Sequence, residues 1–224
     1  IRHLGTEKAH ELYKRIENYI VKEVELKFET TVKDIIIEDG IAKGIIVQSS
    51  NDPNAATEEI YAKNIVSAVG RKGAKWLDQM CKKHKIKSEL GNVDIGIRYE
   101  LPDSVMANIN KYMYEGKVIA RPEPFKDKVR TFCQNPSGFV ATEVYDNNLT
   151  LVNGHSYKEK KSTNTNLAIL VSHNFSYPFN KPIEYGMNVA KNLNELGNGN
   201  IIVQRLGDIY RGKRTWDEEL KNIS

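Results

Sequence analysis

The stretch Val24-Glu-Leu-Lys-Phe-Glu-Thr-Thr-Val-Lys-Asp-Ile-Ile-Ile-Glu-Asp-Gly-Ile-Ala-Lys-Gly-Ile-Ile-Val47 decides the reading of the fold. It alternates at Val24, Leu26 and Phe28, then runs apolar to Ile37, a pattern that predicts a strand. Glu38-Asp39-Gly40 is a turn, because glycine there takes a positive φ without steric cost. Ile41 to Val47 returns antiparallel. A polar loop from Ser49 to Thr57 leads to Glu59-Ile-Tyr-Ala-Lys-Asn-Ile-Val-Ser-Ala-Val-Gly70, read as a third strand ending in the small-residue turn Ala68-Val69-Gly70. Small side chains at such a turn permit close backbone approach to a bulky ligand, and large ones forbid it.

Working outward, Thr6 is a candidate N-cap for a helix in which Ala9, Leu12, Tyr13, Ile16, Tyr19 and Ile20 recur at helical spacing. A second helix is predicted from about Ala74 to His84, with Leu77, Met80 and Cys81 inward. The texture changes near Gly91. Val93 to Tyr99 alternates as a strand, and Leu101-Pro102-Asp103 opens a helix toward Met113. Strands are expected over Lys117 to Ala120, Lys128 to Cys133, Gly138 to Tyr145, Leu149 to Val152 and Leu167 to His173, with Asp146-Asn147-Asn148 as a hairpin turn. A third long helix, Ile183 to Leu196, is stopped by Gly197. The expected class is α+β: a helix plus meander over residues 1–90, then a mixed, mainly antiparallel sheet with flanking helices over residues 91–224.

The 224 residues are 40% apolar, enough for packed cores. Basic residues number 33 against 29 acidic, a net charge of +4 with no block of one sign. That bias is too mild for a nucleic-acid footprint. Lys82-Lys83-His84-Lys85 and Lys158 to Lys161 read as solvated helix ends and loops. Two cysteines, Cys81 and Cys133, fit a reducing cytosol rather than a disulfide scaffold. Sequons at Asn148, Asn174 and Asn222 arise by chance in an asparagine-rich chain. The longest apolar run, Leu167 to Val171, is far too short to span a bilayer. The expectations are a cytoplasmic protein with a small-molecule partner, no nucleic acid and no membrane, its oligomeric state left open.

The meander followed by Ala68-Val69-Gly70 resembles the FAD-binding half of two-dinucleotide-type flavoproteins, where an Ala-Thr-Gly-like motif lies beside the cofactor. Five further segments sharpen this: Arg2-His-Leu-Gly-Thr-Glu7, Val129-Arg-Thr-Phe-Cys-Gln-Asn-Pro-Ser-Gly138, Val152-Asn-Gly-His-Ser-Tyr157, Pro182-Ile-Glu-Tyr-Gly186 and Val203-Gln-Arg-Leu-Gly-Asp208. As a set, over essentially the whole chain, they are similar to a family of bacterial FAD-utilising dehydrogenases. The resemblance implies FAD in the full-length parent, with Ala68 and Gly70 beside it and the Val32 backbone at its adenine edge. Cys133-Gln-Asn-Pro-Ser-Gly138 departs from the family pattern of a second cysteine and a paired glycine, so a redox role for two thiols is not implied. The chain begins at Ile1, carries no Gly-x-Gly-x-x-Gly after a strand and lacks a glycine-rich closing segment. It therefore reads as the middle of a larger flavoprotein, and the fragment alone is not expected to retain FAD.

Cys133 and His155 are the candidate catalytic residues. The Cys133 thiol faces flavin or substrate on one reading and is a small buried strand residue on the other. His155 sits in a turn after a strand, where catalytic histidines often lie; otherwise it bonds its own backbone. Arg130, Asn135, Ser137, Gly138 and Arg205 are the candidate substrate contacts, although Arg205 reads first as the salt-bridge partner of Asp208 or another acid. The histidines lack metal-ligand spacing, so no metal site is expected. A rival reading is a stand-alone ligand- or RNA-binding module whose meander supports a basic face. The clustered lysines are its only support, since no aromatic-plus-basic strand motif accompanies them.

Overall fold

The computed structural model describes residues 4–145 and 148–221. Within them the chain is α+β and divides into two compact units: residues through Lys14 together with those from Leu90 onward, and Arg15–Glu89. The division falls inside α1 (Thr6–Ile20), which has no buried residue. Arg2, His3, Asn222 and the Asp146-Asn147 part of the expected hairpin turn lie outside the described residues. Among the described residues, no helix is long and apolar enough to cross a membrane.

In the Arg15–Glu89 unit, β1 (Thr30–Glu38), β2 (Ile41–Ser49) and β3 (Glu58–Tyr61) form an antiparallel sheet in that order. Glu38 pairs with Ile41 across a two-residue loop in which both Asp39 (φ 51°) and Gly40 (φ 75°) are left-handed. That double positive φ is what a tight hairpin with the native twist requires. β1 slips register between Val32 and Asp34, and the Asp34 carboxylate turns toward α2 (Ala74–Lys83). There it accepts from its neighbour Ile35 N–H (2.9 Å), contacts His84 Nε2 (3.0 Å) and pairs with Lys83 Nζ. Trp76 Nε1 donates to Lys33 O at 3.3 Å, and Met80 is the residue α2 buries. α2 is thus pinned to the meander at both ends.

The third strand is shorter than expected. β3 stops at Tyr61, and Ile65 to Val69 form no strand, with Val66 89% exposed. Their composition suits a strand, but a strand needs a neighbour to receive its N–H and C=O groups. Among the described residues Ile65–Val69 have no ladder partner. The first strand likewise begins only at Thr30, because the ladder starts with the Thr30–Ser49 pair.

The other unit is built on β4 (Val93–Pro102), β5 (Ile119–Ala120), β6 (Val129–Asn135) and β9 (Asn164–His173), ordered β4-β9-β6-β5. A separate ribbon pairs β7 (Phe139–Val144) with β8 (Thr150–His155). Every pairing is antiparallel. α3 (Asp103–Asn110) starts directly after Pro102, and α4 (Pro182–Leu196) carries its proline in the first turn, where a missing N–H costs nothing. α5 (Leu206–Tyr210) and α6 (Asp217–Leu220) follow. Met106, Leu149, Leu167 and Ala190 are the buried apolar residues here, yet Gln134, Asn135, Ser156, Thr165 and Asn166 are buried with them. The centre of this unit is polar.

Candidate functional site

The polar centre begins with a break in β6. Phe132 pairs with Ala168, but the next paired residue is Asn135, opposite Asn166, so the register slips between them. Cys133 takes φ 51°, a left-handed conformation that costs a residue with a Cβ about 1–2 kcal/mol. The bulge places Gln134 and Asn135 both inside, where strict alternation would expose one of them. It also frees the Cys133 carbonyl from the ladder: Arg98 Nη1 donates to it at 2.9 Å and Asn135 Nδ2 at 2.8 Å.

From Asn135 the network spreads to the ribbon. Asn135 Nδ2 also reaches Asn166 Oδ1 (3.2 Å), and Ser156 Oγ donates to Asn135 Oδ1 (2.8 Å). Arg98 Nη2 donates to Asn153 Oδ1 (3.2 Å), which also accepts Gly154 N–H, while Asn153 Nδ2 donates to Glu143 (3.1 Å). Gly154 is required by closeness. A Cβ there would run into Arg98 Nη2, Asn135 Nδ2 and Asn166 Oδ1 together. Gly138 is similar, since its Cβ would stand 2.7 Å from both Asn135 Cβ and His155 O.

A second set of bonds fixes the Pro136-Ser137-Gly138 turn. Ser137, at φ 48°, donates to Asp103 through Oγ (2.6 Å) and N–H (3.2 Å), and buried Thr165 Oγ1 donates to the same carboxylate (2.6 Å). Burial pushes the Asp103 carboxyl up, but the bonds from Ser137 and Thr165 outweigh it and hold it below the usual carboxylate range. Asn110 then donates to Thr165, and Gln134 to Asn110, at 2.8 Å each. His155 lies at the end of β8, where the start of α1 docks. Thr6 N–H donates to Ser156 O (2.8 Å), Thr6 Oγ1 is 3.4 Å from His155 Nδ1, and Glu7 Oε1 accepts from Lys158 N–H (2.6 Å) and Glu159 N–H (3.1 Å).

Cys133, Asn135, Ser137, Gly138 and His155 therefore belong to one neighbourhood, joined by Asn135–Ser156 and by Gly138 against His155. The Cys133 thiol is half-buried. Arg130 does not join them: it donates to Asp94 at 2.6 Å and lies 4.6 Å over Phe132. Arg205 is held within its own segment by Asp208 (3.8 Å) and Glu219 (3.6 Å). Val32, Ala68 and Gly70 are in the other unit. Val32 sits on the sheet's edge strand, and Ala68 and Gly70 line a cleft of about 400 Å³ with Ser67, Val69, Asp78 and Cys81. Among the described residues no group of three His, Cys, Asp or Glu side chains is placed to hold a metal ion. Sequence reading missed Arg98, Asp103, Asn153, Ser156 and Asn166. The one signal for them was an excess of Asn, Ser and Thr inside apolar strands, such as Asn164-Thr-Asn-Leu167.

A protein family described as "FAD-dependent protein, C-terminal domain-like" matches residues 93–223, the stretch that contains this whole polar centre. The chain belongs to that family. Among curated proteins, none matches the chain. Membership implies FAD in the parent protein; the cleft at Ala68–Gly70 lies outside the matched residues. A Cβ on Gly70 would meet nothing within 4 Å, and the neighbouring Ala68 is small, so a flat group has backbone access there. Asp78 is the one charged residue lining the cleft and has the same sign as the FAD diphosphate. Its charge is paired with Lys82 (2.7 Å), so the lining is close to neutral.

Proposed function

We propose that this chain is the central part of an FAD-dependent oxidoreductase, a dehydrogenase of the bacterial FAD-utilising kind, whose 91–224 part receives a small-molecule substrate. The observation that carries the reading is the polar centre in which Asn135 meets the Cys133 carbonyl and Ser156, with Gly138 against the His155 carbonyl, within the stretch matched by an FAD-dependent family. Bound FAD would supply the two-electron acceptor. The residues here orient and move protons. His155, with Nδ1 beside Thr6 Oγ1, is the proton acceptor, Asn135 and Ser137 orient a substrate oxygen, and the Cys133 thiol is a polarisable neighbour. Ala68, Gly70 and the Val32 backbone are the cofactor contacts on this chain. The isolated chain holds FAD weakly, because no Gly-x-Gly-x-x-Gly turn is present to receive the diphosphate.

The test is the absorption spectrum of the longer protein that contains this chain. It should show a stoichiometric flavin band that a small-molecule substrate bleaches without oxygen. His155→Ala should keep the band and slow bleaching by ~100-fold or more. A protein without the band overturns the reading, and unchanged bleaching in His155→Ala removes this histidine from the reaction.

A further inference from the structure

The two ring nitrogens of His155 have unlike surroundings. Nδ1 lies 3.4 Å from Thr6 Oγ1. Nε2 has no hydrogen-bond partner among the described residues and is not one of the side-chain atoms buried without one, so it opens to solvent from a half-buried ring. The ring itself is held in place, stacked on Tyr157 with centroids 6.2 Å apart and planes inclined by 24°. Thr6 is held as firmly by the docking of the α1 start. Thr6 N–H donates to Ser156 O, Glu7 Oε1 accepts from Lys158 N–H and Glu159 N–H, and a Cβ on Gly5 would stand 2.8 Å from Lys158 N. The Thr6 hydroxyl goes where that backbone docking puts it, 3.2 Å from the Ser156 carbonyl oxygen as well as beside the imidazole.

Counting protons decides the tautomer. A hydroxyl has one proton to give and a carbonyl oxygen has none. Given to Ser156 O, that proton makes the shorter of the two bonds, and the second contact is then filled by His155 Nδ1–H donating to Oγ1. Given to Nδ1, it would leave Oγ1 and Ser156 O facing each other at 3.2 Å, lone pair to lone pair. Only the first arrangement puts a proton in both contacts. We infer that Thr6 is a positioning residue whose hydroxyl holds neutral His155 in the Nδ1–H tautomer and leaves Nε2 as the basic atom of the ring. A proton then arrives at the solvent-facing nitrogen, and the imidazolium keeps its Nδ1–H bond to Thr6, so no bond is remade as the ring charges. His84 is the opposite case: its Nε2 faces the Asp34 carboxylate, which can only accept, so Nε2 carries the proton there. That His155 takes its proton from a substrate rests on the flavoprotein reading above; the tautomer does not.

The chain itself, with nitrogen-15 in its histidine rings, is read by long-range nitrogen–proton spectra at pH ~8.5, about two units above the ordinary histidine value. The signals lost in His155→Gln assign the ring. His155 should show a protonated Nδ1 and a bare Nε2, and His84 the reverse. Thr6→Val removes the hydroxyl and should lower the His155 ratio of Nδ1–H to Nε2–H about fivefold, the effect of one ordinary hydrogen bond, with His84 unchanged. Thr6→Ser restores the hydroxyl and should restore the ratio. His155 in the Nε2–H form in the unaltered chain, an unchanged ratio in Thr6→Val, or a loss in Thr6→Ser equal to that in Thr6→Val overturns the inference. The first of these is read without any variant, so a misfolded variant does not shield it. A longer protein without a flavin band but with this tautomer intact would sink the redox reading alone.

Discussion

Gly154→Ala is the sharpest probe of the polar centre. The added methyl overlaps Arg98 Nη2, Asn135 Nδ2 and Asn166 Oδ1. Asn135 (3% exposed) and Asn166 (0%) have nowhere to go, so relief must come by breaking bonds. The candidates are Asn135–Asn166 and Arg98–Asn153. Each buried bond broken with its groups left unpaired costs about 1–3 kcal/mol, so the pair costs about 2–6. Against this, alanine reduces the freedom of the unfolded chain, worth about 0.4–1 kcal/mol, and Gly154 does not have a left-handed φ to lose. The net expectation is about 1–5.5 kcal/mol of destabilisation. Urea unfolding reads it. Trp216 belongs to the same unit as Gly154 and Trp76 to the other, so Trp216 fluorescence in a Trp76→Phe background follows the relevant unit. Gly91→Ala is the control: its Cβ meets nothing within 4 Å, and it should be neutral or slightly stabilising. A Gly154→Ala unfolding free energy within ~0.5 kcal/mol of that of Gly91→Ala, at equal slope, would refute the packing argument.

Other outcomes follow from single contacts. Gly96→Ala drives a Cβ into the Ile169 backbone carbonyl of the paired strand, which cannot swing aside, so loss of more than ~3 kcal/mol or of soluble protein is expected; a native-like melt would contradict it. Cys133→Gly relieves the left-handed backbone and should raise the unfolding free energy by ~0.5–1 kcal/mol, whereas Cys133→Val should lower it; the reverse order would mean that the thiol's packing outweighs the strain. The Lys83 hydrogen bond, helped by His84 and Ile35 N–H, depresses the Asp34 carboxyl to about 2. Because the folded value lies below the unfolded one, its stabilisation is complete above pH ~4 and fades as pH falls toward 2. Discounted for the exposure of Lys83, it amounts to ~1 kcal/mol, and Asp34→Asn should flatten that part of the Trp76-monitored stability profile. An unchanged slope in Asp34→Asn would assign the acid sensitivity to other carboxylates.

Local rules carried the parts of the fold governed by local forces. The helical spacing from Ala9 to Ile20, the Asp39-Gly40 turn and the long β9 are set by nearest neighbours along the chain, and each lies where its residues indicate. Ile65–Val69 have the residues of a strand but not the partner, and composition cannot supply one. Thr6 has the chemistry of a cap, yet its hydroxyl is spent on the 155–156 backbone and ring, a contact spanning about 150 residues. Arg98 belongs to an alternating strand whose sequence does not mark it as a contact residue. It points into a layer that exists only because the ribbon folds over the sheet, and no apolar/polar pattern within β4 records that. The Pro136-Ser137-Gly138 turn was legible, but His155, expected in a turn, is the last residue of β8, paired with Phe139, because that strand runs on past Val152 to match β7; the groups that tie these residues together were not legible.

The polar filling between ribbon and sheet also governs how those two layers can move. Apolar layers grip through area, which changes little when one slides over the other by a residue. Hydrogen bonds such as Ser156–Asn135 and Arg98–Asn153 are directional, and a one-residue slide would break them together. Lifting the ribbon away, by contrast, exposes polar groups that water can satisfy. Directional bonds therefore resist sliding of the ribbon over the sheet more than buried area alone would.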